Sequence, residues 1–208
     1  MYQESAGKLF LKYAIPQMIG LLFNSVYVIV DGIFIGMRLG SNALAAAGVA
    51  VPVVELLIAL SIGMTSGAGV VISGRLASEN FHGARSAFMN ALLLQGCFAA
   101  IIVISGNVFL YPLAAFLGAT PDILKPTVLY LRYIVTLSPF LLFSYLLGGL
   151  ARNDGRPKLA MAALSVGSLS NILLDYVFMY PLNMGISGAA LATALGPVIS
   201  VIILLPHI

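Results

Sequence analysis

Six long stretches of this chain are apolar and nearly free of charge, and no other feature of the sequence narrows its fold so much. A helix that crosses the hydrocarbon of a bilayer needs about 20 largely apolar residues. The six runs cover approximately 13–36, 43–72, 87–109, 127–150, 159–180 and 187–206. Charged residues make up only 8% of the chain and mean hydropathy is +1.06. A soluble domain carries roughly 25% charged residues. Most of the outer surface must therefore face lipid. The strict two-residue alternation of a membrane barrel is absent. The expected fold is an all-α integral membrane protein in which residues 1–208 form a single lobe of six transmembrane helices.

The segments between the runs read as connections. GRLASENFHGAR, residues 74–85, reads as a polar loop between the second and third spans. YPLAAFLGATPD contains two prolines and reads as a short interfacial segment between the third and fourth. ARNDGRPK, residues 151–158, links the fourth and fifth, and the Pro- and Gly-rich PLNMGISG links the last two. Lys8, Lys12, Arg75, Arg85, Arg152, Arg156 and Lys158 fall on one side of this six-span layout. Only Arg38, Lys125 and Arg132 fall on or near the other. Excess Lys and Arg marks the cytoplasmic side, so both termini are expected there.

Several function classes lose ground at once. The single cysteine, Cys97, allows no internal disulfide and indicates no Cys-based metal site. His82 and His207 are far apart in sequence. The formal net charge of +3 is too small and too scattered for nucleic-acid binding. The first apolar run is too long for a cleavable signal peptide and has no cleavage-site pattern. GAGVVISG lacks the G-K-[ST] ending of a phosphate-binding loop and lies inside a span. No Ser/Lys, paired-Asp or HExxH arrangement is placed for catalysis, so an enzyme is not expected, and no cofactor is implied.

The polar groups inside the spans are what the apolar background makes conspicuous. They are Asn24, Asp31, Glu55 and the pair Asn171 and Asp175. A charge near the bilayer centre costs about 2.5 kcal/mol or more, so such groups usually face a water-filled cavity or another polar group. Asn171 and Asp175 stand at i and i+4, on one helix face. A carboxylate and an amide carbonyl are hard oxygen ligands that suit a small cation, and a buried carboxyl suits a proton. The plain alternatives are a hydrogen bond that locks two helices for Asp175 and a solvated interfacial role for Asp31, toward the outer end of its span. Glu55 faces either a cavity or a helix contact. Of Tyr130 and Tyr133, at least one is expected in the interfacial belt, with Arg132 snorkelling beside them. Pro16 and Pro52 lie inside spans and can kink them.

Four stretches together resemble the multidrug and toxic compound extrusion (MATE) transporters: AIPQMIGLLFNSVYVIVDGIFIG, GMTSGAGVVISGRLASENFHGARSA, RNDGRPKLAMAALSVGSLSNILLDYVFMY and MGISGAALATALG. The resemblance runs along essentially the whole chain. It implies a twelve-helix antiporter of two six-helix lobes that exports drugs and other amphipathic, often cationic compounds against inward Na⁺ or H⁺. Carried over by motif, Asp31, Asn171, Asp175 and Thr193 would hold the coupling Na⁺ or H⁺. Tyr130 would line the substrate cavity or the cation site, with Tyr133 close enough to leave its register open. The chain departs from the family in stopping after six spans, so it is expected to be the N-terminal lobe, with a missing C-terminal lobe or self-association to complete it. The runner-up readings are a lipid-linked precursor flippase of the same superfamily and a non-transporting membrane lobe. The flippase would be expected to carry basic residues in mid-span, whereas the ionisable groups here are acidic.

Overall fold

A computed structural model describes residues 6–207. It contains seven α-helices: α1 (Ala6–Leu39), α2 (Ser41–Ala77), α3 (Phe81–Val108), α4 (Leu110–Phe116), α5 (Pro121–Asn153), α6 (Pro157–Met179) and α7 (Ile186–Leu204), followed by a 3₁₀ turn at Leu205–His207. All but α4 are long and apolar enough to cross a membrane. The short α4 is the segment expected between the third and fourth spans. The terminal residues 1–5 and 208 lie outside the described residues.

The helices overrun the expected spans, and this corrects two connections. Most of 74–85 is helical, because α2 continues to Ala77 and α3 begins at Phe81. Only Ser78, Glu79 and Asn80 turn the chain. Glu79 takes a left-handed φ of 57°, and the Asn80 side chain accepts the Gly83 N–H at 2.8 Å as an N-cap. Likewise α5 runs to Asn153, Gly155 turns at φ 76°, and Pro157 opens α6 where its missing N–H costs nothing. Hydropathy marks where hydrocarbon ends. A helix ends only where a cap or a left-handed residue stops it, so it runs on into the aqueous boundary.

Small side chains set the packing. The buried face of α2 is Ala43, Ala46, Ala50, Leu57, Ser61, Thr65 and Gly69, and that of α3 is Gly83, Ala84, Ala87, Ala91, Gln95 and Ala99. The near-constant spacing of three or four residues is one face of a helix, and small residues let membrane helices approach closely. On α6 the same seam reads Ala160, Ala163, Gly167, Asn171, Asp175 and Met179. The polar pair therefore points inward because it shares a face with the contact residues. The central helix is α5, which packs against α2, α3, α4, α6 and α7. Its Leu131, Val135, Leu142 and Leu146 are fully enclosed. Large apolar side chains such as Met18, Leu22, Ile29, Val70, Leu93, Ile104 and Leu173 stay exposed on the outside of the bundle. That is the pattern expected when the solvent is lipid.

One hydrogen-bonded relay crosses the core. The Gln95 amide of α3 donates to the Ser61 hydroxyl of α2 at 2.7 Å, which donates to the Leu142 carbonyl of α5 at 2.9 Å. Thr65 donates back to the Ser61 carbonyl at 2.7 Å. Gln95 is a buried mid-span amide that a survey of acids and asparagines alone passes over.

Candidate cation site

Three helices bring the predicted residues together. Asp31 lies on α1, Asn171 and Asp175 on α6, and Thr193 on α7, with Tyr130 of the central α5 beside them. Asp175 is 0% exposed and Asn171 2% exposed. The Asp31 and Asp175 carboxyl groups adjoin each other within hydrogen-bonding reach. Among the described residues no hydrogen-bond donor reaches either Asp175 oxygen, Asp31 Oδ1 or the Asn171 amide oxygen, and no acceptor reaches the Asn171 amide nitrogen. Tyr130 is buried, and its hydroxyl stands 3.4 Å from that of Thr193. Both acids are near enough to influence that phenol.

This arrangement is costly unless something compensates it. Buried polar groups are normally paired, and each orphan costs about 1–3 kcal/mol. Two adjacent carboxylates away from water also repel each other. A shared proton or a monovalent cation relieves both conditions, because it neutralises one charge and offers the carbonyl and hydroxyl oxygens a partner. Among the described residues no three His, Cys, Asp or Glu cluster as ligands for a transition metal. Two carboxylates with neutral oxygens are instead a hard, weakly charged donor set.

A cavity leads away from the site. Its volume is about 60 Å³, enough for a few waters or one small ion and too small for a drug. Asn24, Tyr27, Ser144, Tyr145, Ser168, Asn171 and Thr193 supply polar groups to its wall. Asn24 is among the polar residues the spans make conspicuous in the sequence, and Tyr27 and Ser168 are not. Tyr27 stands four residues before Asp31 and Ser168 three before Asn171, so helical spacing from the acids would have found both. Glu55 does not line this cavity and is exposed. Between the two tyrosines the structure places Tyr130 inside the bundle, while Tyr133 is half-buried against the apolar core.

The C-terminal end of α1 is tied to the turn between α6 and α7. Arg38 donates to Asn183 Oδ1 at 3.3 Å, and its guanidinium lies 5.6 Å from the centre of the Tyr180 ring. Tyr180 in turn stacks on Tyr176 and meets Phe34 edge-on.

Fold and site together define a multi-pass helical membrane protein with a paired-acid site enclosed among its spans. The MatE family model matches residues 16–177, and the chain belongs to that family. It is 30% identical over 193 residues to a multidrug export protein MepA of Staphylococcus aureus, covering 92% of this chain and 42% of that one. It also resembles a MATE crystal structure in the bent conformation, with TM-score 0.87, 30% identity, and coverage of 95% of this chain and 44% of that one. A third relative is the outward-facing conformation of a multidrug resistance MATE family transporter of the MOP superfamily, with TM-score 0.85 and 31% identity. There the match covers 93% of this chain and 43% of that one. The chain thus spans less than half the length of these relatives.

Proposed function

We propose that this chain is the N-terminal lobe of a cation-coupled exporter of drugs and other amphipathic compounds, with both termini cytoplasmic. In this reading Asp31, Asn171, Asp175, Thr193 and Tyr130 form the coupling-ion site, for Na⁺ or H⁺. The observation that carries the proposal is the pair of adjoining acids, Asp31 and Asp175, held among spans beside the orphaned amide of Asn171. A coupling ligand must bind an ion on one side of the membrane and release it on the other. A carboxyl does this because its charge can be neutralised reversibly, and an amide cannot. The small cavity suits an ion and its waters. The exported compound would then occupy the larger space between two lobes. The multidrug names of the relatives support this substrate class.

The test uses Asp175→Asn and Asp175→Glu in a chain completed with a second lobe and reconstituted in proteoliposomes. Gradient-driven efflux of a fluorescent organic cation should fall to near background in the Asn variant and persist in part in the Glu variant. Both variants should insert normally. Efflux at the unmodified rate from Asp175→Asn would remove the coupling assignment. The lobe alone should insert but confer no drug resistance on a pump-deficient bacterium. Resistance from the lobe alone would mean that copies of this chain complete one another.

A further inference from the structure

A second cavity of about 330 Å³ lies at the end of the bundle that carries most of the Lys and Arg, away from the paired acids. It is walled by α2, α3, α5 and the end of α7. Thr65 packs so tightly on Gly149 that a Cβ at Gly149 would collide with it, and Asn153 lies over Gly69 in the same way. On the pocket wall Gly69, Ala84 and Ala151 carry little side chain and leave the helices slender. Between them α3 and the end of α7 complete a pocket rather than fill it.

The pocket has two chemical halves. Its depth is walled by Ile72, Phe88, Leu147, Leu150 and Leu204. Its rim holds Arg85, Asn153 and Asp154. The apolar half is a poor place for water, which needs two to four polar partners to stay. At the mouth, Phe81 and Leu76 are 67% and 45% exposed, so the opening is itself bordered by apolar surface. At the rim, the Arg85 side chain is exposed and makes no hydrogen bond or ion pair among the described residues. Arg75, by contrast, is held by the Gly83 carbonyl at 2.6 Å, which braces the α2–α3 turn beside the pocket. Asp154 is the one acid on the rim, and it is engaged within the protein. Arg152, Arg156 and Lys158 add further positive charge near this end.

We propose that this pocket is a binding site for an anionic phospholipid, with an acyl chain between α2, α3 and α5 and the phosphate on Arg85. The charge at the rim selects the headgroup, and the apolar depth requires a chain. Basic residues at the edge of a bilayer attract anionic lipid, and a guanidinium matches a phosphate with two parallel hydrogen bonds. The proposal does not depend on ion coupling, because the pocket shares no lining residue with the paired-acid site.

The chain contains no tryptophan, so a single reporter can be placed at will. Phe88→Trp puts one inside the pocket, and Met89→Trp puts one on the exposed neighbouring face of α3. Each is reconstituted with a minor fraction of brominated phosphatidylglycerol or of brominated phosphatidylcholine, and quenching is compared. The tryptophan at 88 should show about a fivefold preference for phosphatidylglycerol, from one rim charge. The tryptophan at 89 should show little. Arg85→Gln in the Phe88→Trp background should abolish the preference and Arg85→Lys should restore most of it. Because these variants alter only the rim and one wall, retained helicity and a single gel-filtration peak qualify each sample. Equal quenching by both lipids at 88 overturns the site as an unselective lipid contact. Quenching at 89 without any at 88 overturns it as a pocket filled by water or protein. A preference that survives Arg85→Gln overturns the assignment of the headgroup to Arg85.

Discussion

The Tyr130 hydroxyl faces the Thr193 hydroxyl at 3.4 Å, across the gap between the central helix α5 and α7. An ordinary O–H···O bond is about 2.7–2.8 Å. Neither oxygen is therefore committed to the other, and both remain able to turn a lone pair toward a guest beside the Asp31–Asp175 pair. If they serve the ion, Tyr130→Phe and Thr193→Val should each weaken ion binding by about 1 kcal/mol, roughly fivefold. The check is the rise in melting temperature on adding Na⁺, or on lowering pH if the proton is the guest. Ion-free melting should barely move. Variants that lower ion-free melting and leave the ion response unchanged would make the pair structural.

Gly167 of α6 and Gly196 of α7 let two backbones meet. A Cβ at Gly167 would lie 2.8 Å from the Gly196 carbonyl oxygen. The Ser200 hydroxyl holds the same crossing by donating to the Ala163 carbonyl at 2.9 Å. Gly167→Val should destabilise the lobe by about 1–3 kcal/mol through overpacking. Gly63 of α2 has nothing within 4 Å of its would-be Cβ, so Gly63→Ala should be neutral or slightly stabilising. Thermal melting in detergent distinguishes them, and an unaffected Gly167→Val would show that the crossing can relax.

The Gln95–Ser61 bond should contribute modestly, since interhelical hydrogen bonds in membranes average about 0.6 kcal/mol and reach about 1.7. A double-mutant cycle of Gln95→Leu and Ser61→Ala, read by chemical denaturation, should give a coupling in that range. A coupling of zero would mean the relay is a consequence of packing rather than a contributor to it.

Arg38 holds the C-terminal end of α1 to the α6–α7 turn, two helical turns from Asp31. Arg38→Ala should broaden the distance distribution between spin labels on these two elements, while Tyr180→Phe should preserve it, since the aromatic face remains. An unchanged distribution in Arg38→Ala would show that packing of α1 on α6 suffices.

The seven-to-three asymmetry of Lys and Arg predicts a cytoplasmic α2–α3 turn. After replacement of Cys97, cysteines at Ser78 and Ala119 can be probed in whole cells with an impermeant reagent. Position 119 should react and 78 should not. The reverse pattern would invert the topology.

Much of this was legible in the sequence because a bilayer imposes simple demands. Length and hydropathy determined six spans. The i and i+4 spacing of Asn171 and Asp175 placed them on one face, and the structure shows that face buried. The family motifs named Asp31, Thr193 and Tyr130. Helix ends were less legible. Glu79 and Gly155 stop helices through backbone conformation, whereas hydropathy reports only the edge of the hydrocarbon. Which acids would meet was a tertiary matter, because Asp31 and Asp175 are 144 residues apart and only the packing of α1 on α6 joins them. So too was the choice of Tyr130 over Tyr133, since the two differ by less than one turn and the rotation of α5 among its five neighbours decides it. The lipid-sized pocket was also invisible in the sequence. It is a space left between α2, α3, α5 and the end of α7, and an absence of atoms has no signature until helices are set against each other.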